Sequence, residues 1–326
     1  MTMLHPLDDY PHPVGCEADF NESMYFQFHD PDRNVGGFLR LANRPNEGRG
    51  ERTVCLYLPG GAVAFGFARP AVEQNDSFDA AGLSFTVVDP FKHLSVAFDG
   101  EVNVLADPAA LADPKQALSA SPIVGCQAHL DFSAAAPPHA QTFDGDGESF
   151  APNHYEQLMR VGGSVTVGDD AFEINGYGLR DHSWGPRSWQ APWFYRWVHG
   201  SSADFGFMGA YFGSPTGADR CGGFVWDGAT VHTCDDVVVS TERDADQQPN
   251  TVHVALASGQ RRWAFVGRVG AVVPLRHRKN GQNGTSSVTR IAEAPTVWTA
   301  SSGRALNGMA EYLDQIRDGV AVGLRV

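Results

Sequence analysis

The chain has 326 residues, of which 36 are Gly and 20 are Pro; 42% are hydrophobic, 11% aromatic and 19% charged. This composition excludes a disordered chain or a glycine-period fibre, and Gly and Pro at this density argue against long helices. The net charge of -14, from 24 basic and 38 acidic residues, repels nucleic acids and anionic membranes, and the densest basic run, Arg276-His277-Arg278-Lys279, is short.

The length favours two domains. Cys16, Cys55, Cys126, Cys221 and Cys234 form no C-x-x-C pair, which fits a reducing compartment better than a disulfide framework. Residues 1–13 carry His, Pro and Asp where a signal peptide would have an apolar run. No segment approaches the roughly 18 apolar residues of a membrane span. A cytoplasmic location is expected.

From the N-terminus, residues 22–30 read as a first strand ended by Asp30-Pro31-Asp32. Gly36-Gly37 leads to a strand at 38–41, and another follows at 53–58 before Pro59-Gly60-Gly61. Strands at 83–88, 93–98 and 101–105 continue the series, with Asp99-Gly100 as a two-residue hairpin turn. Residues 106–120 read as a polar excursion and 134–149 as a loop. Short helices are expected near 153–160 and 305–315. Further strands are expected at 163–167 and 171–178, around Gly168-Asp169-Asp170, and at 196–198 and 205–212. The series ends with strands at 221–226, 230–233, 237–241, 251–257, 262–269 and 288–294, and Asp227-Gly228 as another turn. Short strands without crossover helices predict an all-β, antiparallel sandwich or barrel.

The most unusual segment runs from Asn175 to Trp189. Its last ten residues hold Arg180, Asp181, His182, Trp184, Arg187 and Trp189. In an extended chain Arg180, His182 and Trp184 share one face, and Leu179, Asp181 and Ser183 the other. His182 is then expected to face a site, with Asp181 anchoring the strand from behind or pairing with an Arg. Gly185-Pro186 is expected to break the strand and aim Arg187 elsewhere. Two readings stand: His182 as an acid/base in a Trp-walled pocket, or a packed Trp/Arg cluster around a hydrogen-bonded His at a domain junction.

Trp193, Tyr195 and Trp197 alternate, so this stripe is either core or the wall of an apolar pocket with Tyr195 or His199 as polar handle. Glu22 and Glu311, beside Tyr312, are further acid candidates. The twelve His form no H-x-x-x-H and no Cys pairing at zinc-site spacing, so no metal is expected. Ser183 lacks the flanking glycines of a hydrolase elbow. Gly176-x-Gly178-x-x-Asp181 misses the third glycine of the dinucleotide fingerprint, and none of Lys92, Lys115 and Lys279 lies in a phosphate loop. No cofactor is expected.

The Gly176 to Trp189 segment resembles the signature of the carotenoid 1,2-hydratase/AttH-like superfamily, in which a strand ending in D-H-x-W-G joins two lipocalin-like halves. Asn21 to Phe26 with Asp30-Pro31 is similar to the bacterial proteins of that group. His154-Tyr155-Glu156-Gln157, Gly163-x-Val165-x-Val167 and Glu311-Tyr312 resemble further markers. The resemblance implies two lipocalin-like (calycin) antiparallel barrels or half-barrels with few short helices, divided as residues 1–178 and 179–326. It implies hydration of isoprenoid double bonds or cyclisation of polyenes, with the His and Trp of H-x-W and a downstream Tyr-x-Asp pair involved. His182 and Trp184 match, and Tyr211 lies at a corresponding distance. Gly213, however, stands where the acid of that pair would be.

Protonating an alkene requires a partly desolvated acid facing a cation-stabilising aromatic wall. Glu22, Asp181 and Glu311 are the available carboxyls, and Asp181 is preferred for its place in the motif. The expected function is a cofactor-independent lyase or isomerase acting on a hydrophobic isoprenoid-, terpenoid- or polyketide-like molecule. In that reading Asp181, His182 and Tyr211 are catalytic, while Trp184, Trp193, Tyr195, Trp197, Glu22 and Arg187 bind substrate. A non-catalytic carrier and a templating cyclase are the alternatives. The expected partner is a small hydrophobic molecule, and a homodimer is compatible with the sequence.

Overall fold

Residues Ile123–Ala134 show what builds this fold. Cys126, Ala128, Leu130 and Phe132 are buried while the residues between them are exposed, the alternation of a strand with one face on a core. The computed structural model describes residues 4–141, 150, 152–280 and 286–324. Residues 142–149 of the expected 134–149 loop lie outside the described residues.

Two units divide the chain. One comprises Met1–Asp107, Leu118–Asp144 and Ala151–Arg187, the other Pro108–Ala117, Gly145–Phe150 and Ser188–Val326. Strands of the first are β1 (Phe20–Asp30), β2 (Val35–Arg44), β3 (Arg49–Tyr57), β4 (Val63–Ala68), β5 (Phe78–Ala80) and β6 (Leu83–Asp89). They continue with β7 (His93–Leu105), β8 (Ile123–Ala134), β9 (His139–Ala140), β10 (Asn153–Val167) and β11 (Asp170–Pro186). All pairings are antiparallel, in the order β4-β3-β2-β1-β11-β10-β8-β7-β6-β5, and a further pairing of β4 with β7 closes a ring of eight strands. Met24, Phe26, Leu39, Val54, Phe98, Leu130 and Phe132 are among the side chains that fill it.

The second unit holds β12 (Phe194–Ser201), β13 (Gly206–Gly213), β14 (Arg220–Trp226), β15 (Val231–Cys234), β16 (Asp236–Arg243) and β17 (Pro249–Ser258). It ends with β18 (Arg261–Val269), β19 (Val273–Asn280), β20 (Ser286–Ala300), β21 (Ala305–Arg317) and β22 (Val320–Ala321). Its order is β15-β14-β13-β12-β21-β20-β18-β17-β16, around a core that includes Val198, Phe207, Val254, Phe265 and Trp298. The all-β expectation holds: among the described residues one α-helix forms, Pro114–Ala120, and no helix is long and apolar enough to cross a membrane.

Several local expectations fail, each for a physical reason. Residues 153–160 and 305–315 are strand, not helix. Nearly every residue of β21 and of the first half of β10 is buried, so the two-residue alternation that marks a strand is missing. Asp99-Gly100 makes no turn, because β7 pairs with β8 straight through both residues. Pro108–Ala112 and the α-helix occupy the polar excursion. Gly168 and Asp169 do turn β10 into β11, and Asp227-Gly228 does turn β14 toward β15. Strand β11 crosses residues 178 and 179 unbroken and continues through Gly185, which adopts φ +115 and would strike Pro152 if it carried a Cβ. The units divide after Arg187.

Candidate active site

Three neighbouring strands of the first unit deliver the candidate site. Glu22 of β1 stands opposite Trp184 of β11. His182 stands opposite Met24 and Tyr155, and Arg180 opposite Phe26 and Gln157. Directly opposed residues project to the same face. Glu22, Arg180, His182, Trp184, Tyr155 and Gln157 therefore share the face of the core residues Met24, Phe26 and Met159. The alternation expected of 180, 182 and 184 is what the strand displays.

The N-terminal segment completes the cluster. Pro6–Asp9 forms one 3-10 turn capped by the His5 side chain. It places the buried Asp9 carboxylate against Arg180 Nη1 at 2.5 Å and against the Tyr155 hydroxyl, which donates to it. Arg180 also donates to Gln157 Oε1 at 2.7 and 3.0 Å, so this fully buried guanidinium has a partner on each side. Tyr155 Oη lies 3.2 Å from His182 Nδ1, and His182 Nε2 lies 2.8 Å from Glu22 Oε1. His12 Nδ1 reaches the same Oε1 at 2.7 Å. The other oxygen, Oε2, accepts from the His12 backbone N–H at 2.8 Å and from Asn75 Nδ2 at 2.5 Å.

His182 and Glu22 are 0% exposed, whereas the His12 side chain is 17% exposed and stacks on Trp184 at 3.8 Å between ring centres. Phe78 meets His182 edge-on at 5.7 Å. Burial pushes the Glu22 carboxyl up, but hydrogen bonds from His12 and His182 outweigh it and hold it at about 2. Burial raises the Tyr155 hydroxyl well above its ordinary value, against the pull of Arg180. Near neutrality the centre is therefore a carboxylate gripped by two imidazoles, one of which also meets a protonated phenol.

Asp181 points the other way. It stands opposite Tyr25 and Glu156, and its carboxylate pairs with His154 Nε2, which also lies 3.5 Å from Glu156 Oε1. Burial works against the charge of His154, yet Asp181 and Glu156 raise it to about 9. Burial would raise Asp181, but His154 and then Arg187 bring it below its usual range. Asp181 thus lies behind the strand as a carboxylate paired with His154. Arg187 donates to Ser23 Oγ at 3.2 Å on that side.

The remaining predicted residues belong to the second unit. Tyr195 and Trp197 share a face, on which the Tyr195 hydroxyl donates to Glu311 and Trp197 packs on His199 at 4.9 Å. The Arg317 guanidinium covers Trp193 at 5.4 Å. Tyr211, opposite Arg196, projects from the other face of that sheet and donates to Asp219 Oδ2 at 2.6 Å. That hydrogen bond, with burial, pushes the Tyr211 phenol up to about 12. A carboxylate thus stands beside Tyr211, from Asp219 and not from position 213, but Tyr211 and Tyr195 do not line one surface. Sequence reasoning missed His12, Asp9 and Asn75, since no spacing rule links residues 9, 12 and 75 to residue 182.

Residues 5–316 match the family described as a domain of unknown function, DUF7064. The chain belongs to that family. No curated protein matches the sequence. In fold the DUF7064 chain is similar to CghA with Sch210972, at 10% identity over 95% of each chain and a TM-score of 0.58. It is similar also to kievitone hydratase from Nectria haematococca, at 8% identity over 97% of this chain and 94% of that one, TM-score 0.55. An AttH candidate from Nitrosomonas europaea matches at 12% identity over 96% and 94%, TM-score 0.50. Likeness at these identities speaks for the fold, and the chemistry must be argued from the side chains.

Proposed function

We propose that this protein is a lyase- or isomerase-type enzyme that moves protons on a hydrophobic isoprenoid-, terpenoid- or polyketide-like molecule, and that it stands with the bacterial AttH-like proteins. One observation carries the reading: His182 is clasped between the Glu22 carboxylate and the Tyr155 phenol at the polar end of a barrel lined by aromatic side chains. Glu22 holds both imidazoles in fixed orientations. The partly exposed His12, stacked on Trp184, is the group that meets substrate. Tyr155 and Asp9 continue the hydrogen-bonded path inward from His182.

This arrangement favours imidazole acid/base chemistry over protonation by a neutral carboxyl. Glu22 and Asp181 are both held ionised by their partners, so neither has the raised pKa an alkene-protonating acid needs. Addition or loss of water next to an electron-withdrawing group, or a double-bond shift, lies within reach of a histidine base. A carrier or templating cyclase is the second reading, favoured by the similarity in fold to CghA, described with Sch210972. Trp184, stacked on His12, stays in the proposal as a binding residue.

The test is incubation with a panel of prenylated and polyene alkenes and enones in D2O, reading deuterium and water uptake by mass spectrometry. Uptake by the wild type that disappears in His182→Ala supports the reading. Tight binding without uptake identifies a carrier, and uptake that survives His182→Ala moves the chemistry elsewhere.

A further inference from the structure

We propose that His12, Glu22 and His182 bind a divalent cation of the zinc class. The inference keeps the location of the acid/base centre above and depends on that reading only for what a bound cation does to turnover. Three donor atoms converge: Glu22 Oε1, His12 Nδ1 at 2.7 Å and His182 Nε2 at 2.8 Å from it, all within 4.8 Å of one another. Donors bonded at about 2.0–2.1 Å in a tetrahedral site stand about 3.3 Å apart, so a cation entering here would open both spacings by about half an ångström.

The hydrogen bonds around this triangle decide between a cation and a simple cluster. Outward from the centre, His182 Nδ1 meets Tyr155 Oη, whose own proton goes to Asp9. His12 Nε2, buried and without a full hydrogen bond, lies 3.5 Å from Asp8 Oδ1. A phenol oxygen that has given its proton away and a carboxylate can both only accept here, so the outward nitrogens must be the donors. With the outward nitrogens as donors, a hydrogen bond to Glu22 Oε1 needs a second proton on each ring, at the inward nitrogen. A divalent cation can stand in place of those two protons, at the point the two inward nitrogens and Oε1 face.

Metal-bound histidines characteristically give their distal N–H to a carboxylate or another acceptor; Tyr155 Oη is that acceptor for His182, and the Asp8 carboxylate stands near His12 Nε2 at 3.5 Å. Glu22 Oε2 is likewise held, by Asn75 Nδ2 and the His12 backbone, leaving Oε1 as the inward oxygen. Charge points the same way. Arg180 offsets Asp9, while Glu22 and Asp8 face the two rings with, among the described residues, no guanidinium or ammonium paired to either. Two nitrogens and one oxygen also leave a fourth position open, as in catalytic rather than structural zinc sites. The similar triad of His154, Glu156 and Asp181 lacks this logic, because His154 is ion-paired to Asp181 and Arg187 adds a second positive charge.

The test uses the full-length protein, stripped with chelator and titrated with Zn2+ by calorimetry and with Co2+ by visible absorption. One equivalent per chain is expected, with ligand-field bands of cobalt bound to nitrogen and a higher melting temperature on zinc addition. Glu22→Gln and His12→Ala should each weaken binding at least about 100-fold, while His154→Gln binds as the wild type does. His12 lies outside the sheet, so its variant keeps the inference testable if Glu22→Gln misfolds. Absence of a saturable equivalent in the wild type, or unchanged affinity in His12→Ala, overturns it. Deuterium uptake by the stripped protein would leave the acid/base centre standing without the cation. Stoichiometric cobalt binding with no uptake on any substrate would leave the cation site and remove the activity.

Discussion

Two clusters of histidine and carboxylate lie on opposite faces of β11 in the first unit. The inward one joins His12, Glu22 and His182, and the outward one joins His154, Glu156 and Asp181. Asp181 and His182 are sequence neighbours, yet each belongs to a different cluster, because successive residues of a strand project to opposite faces. The residue types are nearly the same, but their surroundings are not. The outward cluster is an ion pair in which the histidine is held at about 9 and Arg187 stands close. In the inward one a single carboxylate collects four hydrogen bonds, with the Trp184 and Phe78 rings beside the two imidazoles. Orientation sorts one strand's polar residues into a chemical centre and an anchor.

That contrast can be broken most forcefully at Glu22. Glu22→Ala leaves two imidazoles, Asn75 and a backbone N–H without their shared acceptor, and a loss of about 3–5 kcal/mol of stability is expected in urea unfolding. A loss below about 1 kcal/mol would show that the inward cluster is not a unit. The outward cluster should reveal itself through alkaline pH. His154 is raised from 6.5 to about 9, so its contribution is complete below pH 6.5 and is lost as pH climbs to 9. The loss is about 3 kcal/mol and should be missing from the stability–pH curve of His154→Gln.

His139, opposite Glu156 on that outward side, acts in the other direction. Burial and then the charge of His154 push it from 6.5 down to about 4, so stability falls as pH drops through that window. The slope, at most about 1.4 kcal/mol per pH unit, should flatten in His139→Gln. The smallest effect belongs to Tyr211. Tyr211→Phe removes one exposed hydrogen bond, costs about 1 kcal/mol or less, and leaves turnover within about twofold. Tyr155→Phe should reduce turnover by about tenfold or more. The reverse ranking of the two tyrosines in a kinetic assay would return the chemistry to the second unit.

Much of the fold could be read locally, and the exceptions share a cause. Pro249–Ser258 largely alternates and was legible as strand at 251–257, whereas Ala305–Arg317 and the first half of β10, buried on both faces, looked helical. Part of the site was equally legible. Arg180, His182 and Trp184 share a face because a strand has a period of two, and Asp181 falls behind for the same reason. His12, Asp9 and Asn75 were not legible, since 170 residues of chain separate His12 from His182 in sequence and a 2.7 Å contact to Glu22 joins them in space.

The sequence by itself determined an acidic, glycine- and proline-rich antiparallel β protein, and which face of β11 each motif residue takes. Both follow from composition and from the two-residue repeat of an extended chain, which act over a few neighbouring positions. Only the tertiary structure decided what those faces meet. Closure of the barrel brings the N-terminal segment against β1 and β11, where Glu22 becomes the shared acceptor of His12 and His182 and Asp9 the partner of Arg180. A buried charge must find its partner wherever the fold delivers one, and in this chain the partners come from residues that no local pattern connects.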